Sequence, residues 1–310
     1  MIFTVTLNPT LDKTLSVPQL EPGAVHRARL LRQDLGGKGI NVSRALRALG
    51  IPSRLLGFLG GATGEAMCRG LLAGGFAADF IEVPGETRQN LTLLDEATGV
   101  YTKINEPGPT AGEVQVAALL AQIGAVAQAG DLWAFSGSLP PGAPPDLYAG
   151  LVRLAQARGG RAFLDTSGPA FAAGLEARPY AIKPNTEEAA ELLGREIAGE
   201  EQHLAAARRL QESGPRLVCL SRGARGLVLA MDAALVVAEP PAVDARSPIG
   251  AGDSALAGLL WAVSEGCGAA ETARRAVACG TAAAMQEGTG VGDRRLVHQL
   301  LDQVQIRQIA

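Results

Sequence analysis

Aromatic residues are scarce in this chain, with Phe, Tyr and Trp making up 4% of 310 residues while hydrophobic residues reach 47%. Ala, Leu, Val and Gly therefore carry the core, a composition suited to closely packed helices on a parallel sheet. Cysteine is equally sparse: Cys68, Cys219, Cys267 and Cys279 stand apart with no CxxC pair. That pattern gives no disulfide framework or zinc ribbon, and in apolar stretches a free thiol acts as a small hydrophobe, as in a reducing, cytoplasmic setting. His26, His203 and His298 are too widely spaced for a metal motif and read as surface or packing residues. A formal net charge of −3 gives no reason to expect nucleic acid or an anionic membrane as partner. No apolar run approaches the ~18 residues of a membrane span. The opening "MIFTVTLNPTLDK" lacks a basic leader, so a signal peptide is not expected.

What the chain does have is alternation. Strand-length apolar runs, "IFTVTL", "SRLLGFLG", "DLWAFSG", "RAFLDTSG", "YAIKPN" and "RLVCLS", are separated by amphipathic segments at 40–49, 111–129, 146–158 and 201–213. Such alternation predicts an α/β fold, a parallel sheet with helices on both faces and ligands beyond the carboxyl ends of the strands. Two segments break the rhythm. Residues 10–34 and about 86–107 read as strands without intervening helices, with a hairpin turn at Glu96–Gly99, and predict a small β appendage assembled from two separated insertions. The length exceeds a usual single core of ~250–300 residues, in keeping with one large domain plus an appendage.

The most informative short stretch is "SPIGAGDSALAG", residues 247–258. Ala255, Leu256, Leu259, Leu260 and Val263 form a helical stripe, which places Asp253 at a helix start. Gly250 and Gly252 leave the backbone free for an unusual turn, and the amides at a helix N-terminus attract anions. The result is an anion site with an acid beside it. Asp253 as an ordinary helix cap is the plain alternative. A dinucleotide fingerprint is another, since Gly250, Gly252 and Ala255 fit GxGxxA, but the proline-rich "EPPAVDARSP" upstream is a poor strand.

Other polar clusters close strands or open helices. "LGGKGINVSRAL" holds Lys38 among Gly36, Gly37 and Gly39 before a helix, and Gly39 stands where a Walker A loop needs Ser or Thr. "FSGSLPPG", with Ser136 and Ser138, and "LDTSGPA", with Asp165, are strand-end turns that face a ligand or cap the next helix. In "KPNTEEAAELLG", Asn185 and Glu188 are spaced as a capping box beside Lys183. "SRGARG", Ser221 to Gly226, reads as a hairpin turn.

In order and spacing, "TLNPTLD", "GGKGIN", "SGSLPPG", "KPNTEE" and "GAGDSALAG" resemble the ribokinase-like, or PfkB, carbohydrate kinases across essentially the whole chain, nearest to the branch that phosphorylates hexose phosphates. The resemblance implies a three-layer α/β/α sandwich with a mostly parallel central sheet, one kinase domain over residues 1–310, and a β-sheet lid formed by about 10–34 and 86–107. It implies ATP-dependent phosphoryl transfer to a sugar-phosphate alcohol, fructose 1-phosphate foremost, with tagatose 6-phosphate and fructose 6-phosphate as alternatives. Asp253 would be the base, and Gly250, Ala251 and Gly252 the anion hole. Lys183, Asn185, Glu188, Ser221, Gly223 and Gly226 would bind ATP, with Mg²⁺ held through Glu188 and water. Asp12, Gly37, Lys38, Asn41, Arg88, Lys103 and Ser138 would bind the acceptor, the three basic residues converging on its phosphate. Exposed lid edges predict a homodimer packed lid on lid. Pro248 and Arg222 depart from the branch's usual residues near the anion hole and the nucleotide loop. A non-catalytic sugar-phosphate sensor is the alternative of another class, disfavoured by the intact Asp253 and its glycines.

Overall fold

The computed structural model describes residues 1–309. The chain begins with β1 (Ile2–Thr6), then leaves the main body for an antiparallel pair, β2 (Thr10–Val17) and β3 (Arg29–Gly36), before returning through α1 (Lys38–Ala48). There follow β4 (Arg54–Leu59), α2 (Gly61–Ala73) and β5 (Ala77–Glu82), and a second excursion into β6 (Gln89–Asp95) and β7 (Tyr101–Asn105). Regular alternation resumes with α3 (Glu113–Val126), β8 (Leu132–Ser136), α4 (Leu147–Ala157), β9 (Arg161–Asp165), α5 (Gly168–Glu176) and β10 (Ala181–Ile182). Then come α6 (Thr186–Leu193), α7 (Gly199–Glu212), β11 (Leu217–Ser221), β12 (Leu227–Met231) and β13 (Ala234–Glu239). The chain closes with α8 (Ala251–Ser264), α9 (Ala269–Ala284), α10 (Arg294–Leu301) and β14 (Gln305–Ile309).

The main sheet has ten strands in the order β14-β13-β12-β11-β10-β9-β8-β1-β4-β5. From β11 to β5 neighbouring strands are parallel, while β12, β13 and β14 extend the sheet antiparallel. Burial on both faces explains the apolar runs. Phe3 and Val5 pack into one core with Trp133 and Phe135, beneath α3, α4, α5 and α7. Ile2, Leu132 and Ala134 point the other way into a second core with α1, α8, α9 and α10. Strands between two such layers have no solvent face on which to place polar residues.

Two readings of the sequence change in detail. "YAIKPN" yields only Ala181–Ile182 as strand, because Pro184 has no N–H to give the ladder. The one-sided stripe expected for α8 is instead a helix buried nearly all round, from Asp253 to Val263 except for half-buried Ala255, because α8 lies between α1 and α9. His203 is a packing residue, as expected: its ring is fully buried, with Nε2 3.0 Å from Thr186 Oγ1 and Nδ1 against the Gly199 carbonyl.

The two excursions meet in a four-stranded sheet of order β3-β2-β6-β7, with β2 and β6 parallel and paired from Leu11↔Gln89 to Val17↔Asp95. Both leave the main sheet after carboxyl ends of strands. The order of the main sheet reverses at β1, where the chain steps first to β4 and β5 and later to β8, making the gap beyond β1 and β8 a crevice of the kind that binds ligands in open α/β sheets.

Candidate active site

The loop joining β3 to α1 brings the backbone hard against the end of β1. Gly37 adopts φ 127°, and a Cβ there would lie 2.7 Å from Thr6 Cγ2; one on Gly39 would collide with Thr6 Oγ1. The glycines thus serve this close approach, which lets Lys38 lean into the crevice. Lys38 Nζ donates to Asp165 Oδ1 at 2.9 Å. Lys183, just beyond β10, reaches the other oxygen, with Nζ 3.2 Å from Oδ2. Asp165 is fully buried at the end of β9. Burial alone would push its carboxyl up, but the two ammonium groups outweigh that and hold it below the ordinary carboxylate range. Burial also works against the charge on Lys38, and the attraction of Asp165 reverses it, so the lysine's pKa is raised.

Asp253 sits in the first turn of α8, whose N-cap, Gly250, has φ 78° and ψ −5°, a left-handed conformation that suits glycine. No side chain caps this helix. Ala251 N donates to the Pro248 carbonyl at 3.3 Å, which leaves the amides of Gly252 and Asp253 for a ligand, and Lys183 Nζ would lie 3.5 Å from a Cβ on Gly252, adding positive charge at the same place. Asp253 is buried and receives a hydrogen bond from Asn41 Nδ2 to Oδ2 at 2.8 Å. Burial and the like charge of Asp165 push its carboxyl above the usual range, while Asn41, Lys38 and Lys183 pull it back. An ionised acid so placed is a proton acceptor beside an anion site.

To one side of Asp253 and Lys183 opens a cavity of about 550 Å³. Lys183, Ser221, Gly223, Gly226, Ala251 and Gly252 line it, as do Pro240 to Val243 and the α9 residues Val277, Gly280, Thr281 and Ala284. Asn185 and Glu188 form the capping box of α6: Glu188 N donates to Asn185 Oδ1 at 2.8 Å and Asn185 N to Glu188 Oε2 at 2.9 Å. Arg222 is absent from the cavity wall. Its guanidinium is buried elsewhere, facing Glu200 at 3.5 Å and Glu239 at 3.6 Å.

On the other side, toward the small sheet, Asp12 on β2 accepts from Asn90 Nδ2 at 3.0 Å and Thr10 Oγ1 at 3.2 Å. Burial raises its pKa against those hydrogen bonds. A Cβ on Gly36 would collide with its Oδ2. Arg88 donates from Nη2 to the Asn8 carbonyl at 2.8 Å and attracts Asp12. Ser138 Oγ accepts from Asn8 Nδ2 at 3.4 Å, and its neighbour Gly137 packs beside Lys38. Lys103 stands on β7, all five of whose residues are exposed. The fold thus gathers Asp12, Lys38, Asn41 and Asp253 around one crevice, with Arg88 and Ser138 at its rim, and leaves Lys103 on the outermost strand. Asn8 lies in "TLNPTLD" but carries no role there, while Asn90 and the α9 wall carry no recognisable motif; small residues at 276, 280 and 284, four apart, are a sequence trace of the last.

A cavity and a polar crevice that meet at an uncapped helix start, with a carboxylate beside it, are the features of an enzyme that moves an anionic group between two ligands. The model of the pfkB family of carbohydrate kinases matches residues 6–294, and the chain belongs to that family. It is a carbohydrate kinase. Among curated proteins it is 42% identical over 280 residues to the 1-phosphofructokinase of Rhodobacter capsulatus, covering 89% of this chain and 88% of that one. It is 35% identical over 309 residues to the 1-phosphofructokinase of Bacillus subtilis, covering 100% of both. Among solved structures, phosphofructokinase-2 from Escherichia coli in complex with potassium matches with a TM-score of 0.93 at 31% identity, over 97% of this chain and 98% of that one.

Proposed function

We propose that this sugar-phosphate kinase is of the 1-phosphofructokinase type: fructose 1-phosphate and ATP give fructose 1,6-bisphosphate and ADP. The observation that carries this reading is Asp253 in the first turn of α8, a helix that no side chain caps, with the cavity on one side and the crevice on the other. ATP occupies the cavity and directs its terminal phosphate at Gly250, Ala251 and Gly252, with Lys183 alongside. The acceptor lies under the small sheet, where Asp12 and Asn90 hold its hydroxyls and Lys38 and Arg88 face its phosphate. Asp253 takes the proton of the attacking hydroxyl late in a loose transition state. Alignment and charge stabilisation do most of the work there, and a positioned base is worth about 10²–10⁴ in rate.

Among the described residues no three His, Cys, Asp or Glu side chains gather as a metal cluster. A Mg²⁺ carried by the nucleotide phosphates needs only an outer carboxylate, and Glu188 fits: one oxygen serves the α6 cap and Oε1 has no hydrogen-bond partner among the described residues. When bound, the ion would offset phosphate charge.

The small sheet acts as a lid that excludes water from the crevice. Its exposed Leu30, Leu31, Tyr101 and Ile104 favour a homodimer packed lid on lid. Among the described residues no helix is long and apolar enough to cross a membrane, in keeping with a cytoplasmic enzyme.

The test is ADP release by wild type and Asp253→Asn with fructose 1-phosphate, fructose 6-phosphate, tagatose 6-phosphate or fructose, each with Mg·ATP. Turnover with fructose 1-phosphate that falls about 10²–10⁴-fold in the variant supports the reading. Turnover confined to one of the other phosphorylated sugars reassigns the acceptor. Turnover with fructose alone removes the phosphate role of Arg88 and Lys38, and a fully active Asp253→Asn removes the base.

A further inference from the structure

Asn41 has one amide and two neighbours that orient it the same way. Its Nδ2 donates to Asp253, and its Oδ1 accepts from Arg44 Nη1 at 2.9 Å. Arg44 lies one turn further along α1, on the same face, and its second arm, Nη2, donates to the Leu35 carbonyl at 2.7 Å. The guanidinium is thereby tied at both ends, one to β3 and one to Asn41. Asp34 and Asp12 attract it from the small sheet, and Asp253 from α8.

The chemistry of the three groups allows only one arrangement. A guanidinium has donors and no acceptor, and it does not lose its proton near neutral pH. An ionised carboxylate has acceptors and no donor. An amide between them must turn its oxygen to the arginine and its NH₂ to the acid. Were Arg44 absent, Asp253 alone would orient the amide, and protonating the acid would let the amide turn over. Its oxygen would then face the Asp253 carboxylate, a contact made favourable only by protonating the acid.

We propose that Arg44 is a positioning residue for phosphoryl transfer, fixing the Asn41 amide so that it donates to Asp253 and keeps that base ionised. The inference rests on Asp253 being the base. The groups facing Asp253 are Lys38 and Asn41 from α1, Asp165 from β9 and Lys183 beyond β10. Arg44 differs from both lysines in acting through Asn41 and not by ion-pairing with the buried acids. It touches neither the cavity wall nor Asp165, so its loss leaves nucleotide binding in place.

The test is the pH profile of kcat for wild type, Arg44→Met, Asn41→Ala and the double variant, with the preferred sugar phosphate and Mg·ATP saturating. In Arg44→Met, kcat falls about 10–100-fold with the sugar-phosphate KM within about threefold of wild type, and the acid limb moves up by about one pH unit. In the Asn41→Ala background the same Arg44→Met change leaves the acid limb where Asn41→Ala alone puts it. An acid limb that moves equally in both backgrounds means Arg44 acts by its field and overturns the proposal. So does an unmoved limb in Arg44→Met, or a raised KM with unchanged kcat, which would make Arg44 a substrate contact. If Arg44→Met does not fold, Arg44→Lys in the same two backgrounds decides, since it keeps the charge and loses the two-armed grip. Asp253→Asn runs alongside: if it stays active the base is wrong, whereas an inactive Asp253→Asn with no limb shift in the Arg44 variants sinks only the inference about Arg44.

Discussion

Replacing Asp165 with Asn removes one charge and no volume from the most buried ionic group in the molecule. In the wild type two lysines share this carboxylate, Lys38 with a side chain 37% exposed and Lys183 with one only 6% exposed. Lys38 can turn toward water when its partner goes; Lys183 cannot, and is left as a buried ammonium without its ion-pair partner. Breaking a buried pair from one side costs about 3–5 kcal/mol, and the freedom of Lys38 places this case near the lower end, about 3 kcal/mol. For a chain of this size that is a fall in Tm of about 4–5 °C at neutral pH, read by scanning calorimetry. The sign of the pH dependence follows from the carboxyl's lowered pKa. The contribution of Asp165 is present above the pKa of an unfolded Asp and is lost as pH falls through the folded value, so wild type and Asp165→Asn converge in Tm toward strongly acidic pH. A second consequence runs opposite to simple damage. Asp253 loses its like-charged neighbour and keeps the buried Lys183, so its pKa drops and the acid limb of kcat moves to lower pH. Unchanged Tm, or an acid limb that moves upward, would refute the picture of one carboxylate neutralising two lysines.

Three further outcomes are expected. Val277→Phe places a ring into the cavity beside α9, raising the KM for ATP about tenfold or more in steady-state assays while leaving the KM for the sugar phosphate within about twofold. Arg222→Leu changes the KM for ATP by no more than about threefold, because the guanidinium faces Glu200 and Glu239 and reaches the cavity only through the Arg225 carbonyl; its main effect is on stability, a loss of about 1–3 kcal/mol in urea unfolding. Light scattering gives a dimer mass for the wild type at micromolar concentration, and Leu31→Glu with Ile104→Glu, placing charges on the outer strands of the small sheet, gives a monomer.

The main body was legible because its strands are buried on both faces. "IFTVTL" and "DLWAFSG" are continuous apolar runs for that reason, and each became a strand within a residue or two of its quoted limits. The edge strand β5, "AADFIE", escaped notice because one side of it meets no neighbour and its residues are half-buried, leaving no apolar run. The turn at "SRGARG" and the helix start at "GAGDSALAG" depend on local backbone chemistry, and both stand where the sequence put them. Asp165 did not reveal its role, since its partners are Lys38 and Lys183 and nothing in "LDTSGPA" refers to either. The α9 wall was silent for another reason: alanine and glycine make a cavity by what they lack, and absence of bulk leaves no chemical signature.

The small sheet has a consequence for the order in which the molecule comes into being. Its central pair, β2 and β6, joins Leu11 to Gln89 across the whole of the first crossover and much of the second. Neither hairpin half can recruit the other until β4 and β5 have docked on β1 and brought the two excursions to the same side. Contacts this distant in sequence repay their closure entropy late. The core that holds the cavity and α8 can be complete while Asp12 and Asn90 are still apart, so competence to hold a nucleotide precedes competence to hold the acceptor. A refolding chain should then protect the amides of β1 and β8 from hydrogen exchange before those of β2 and β6.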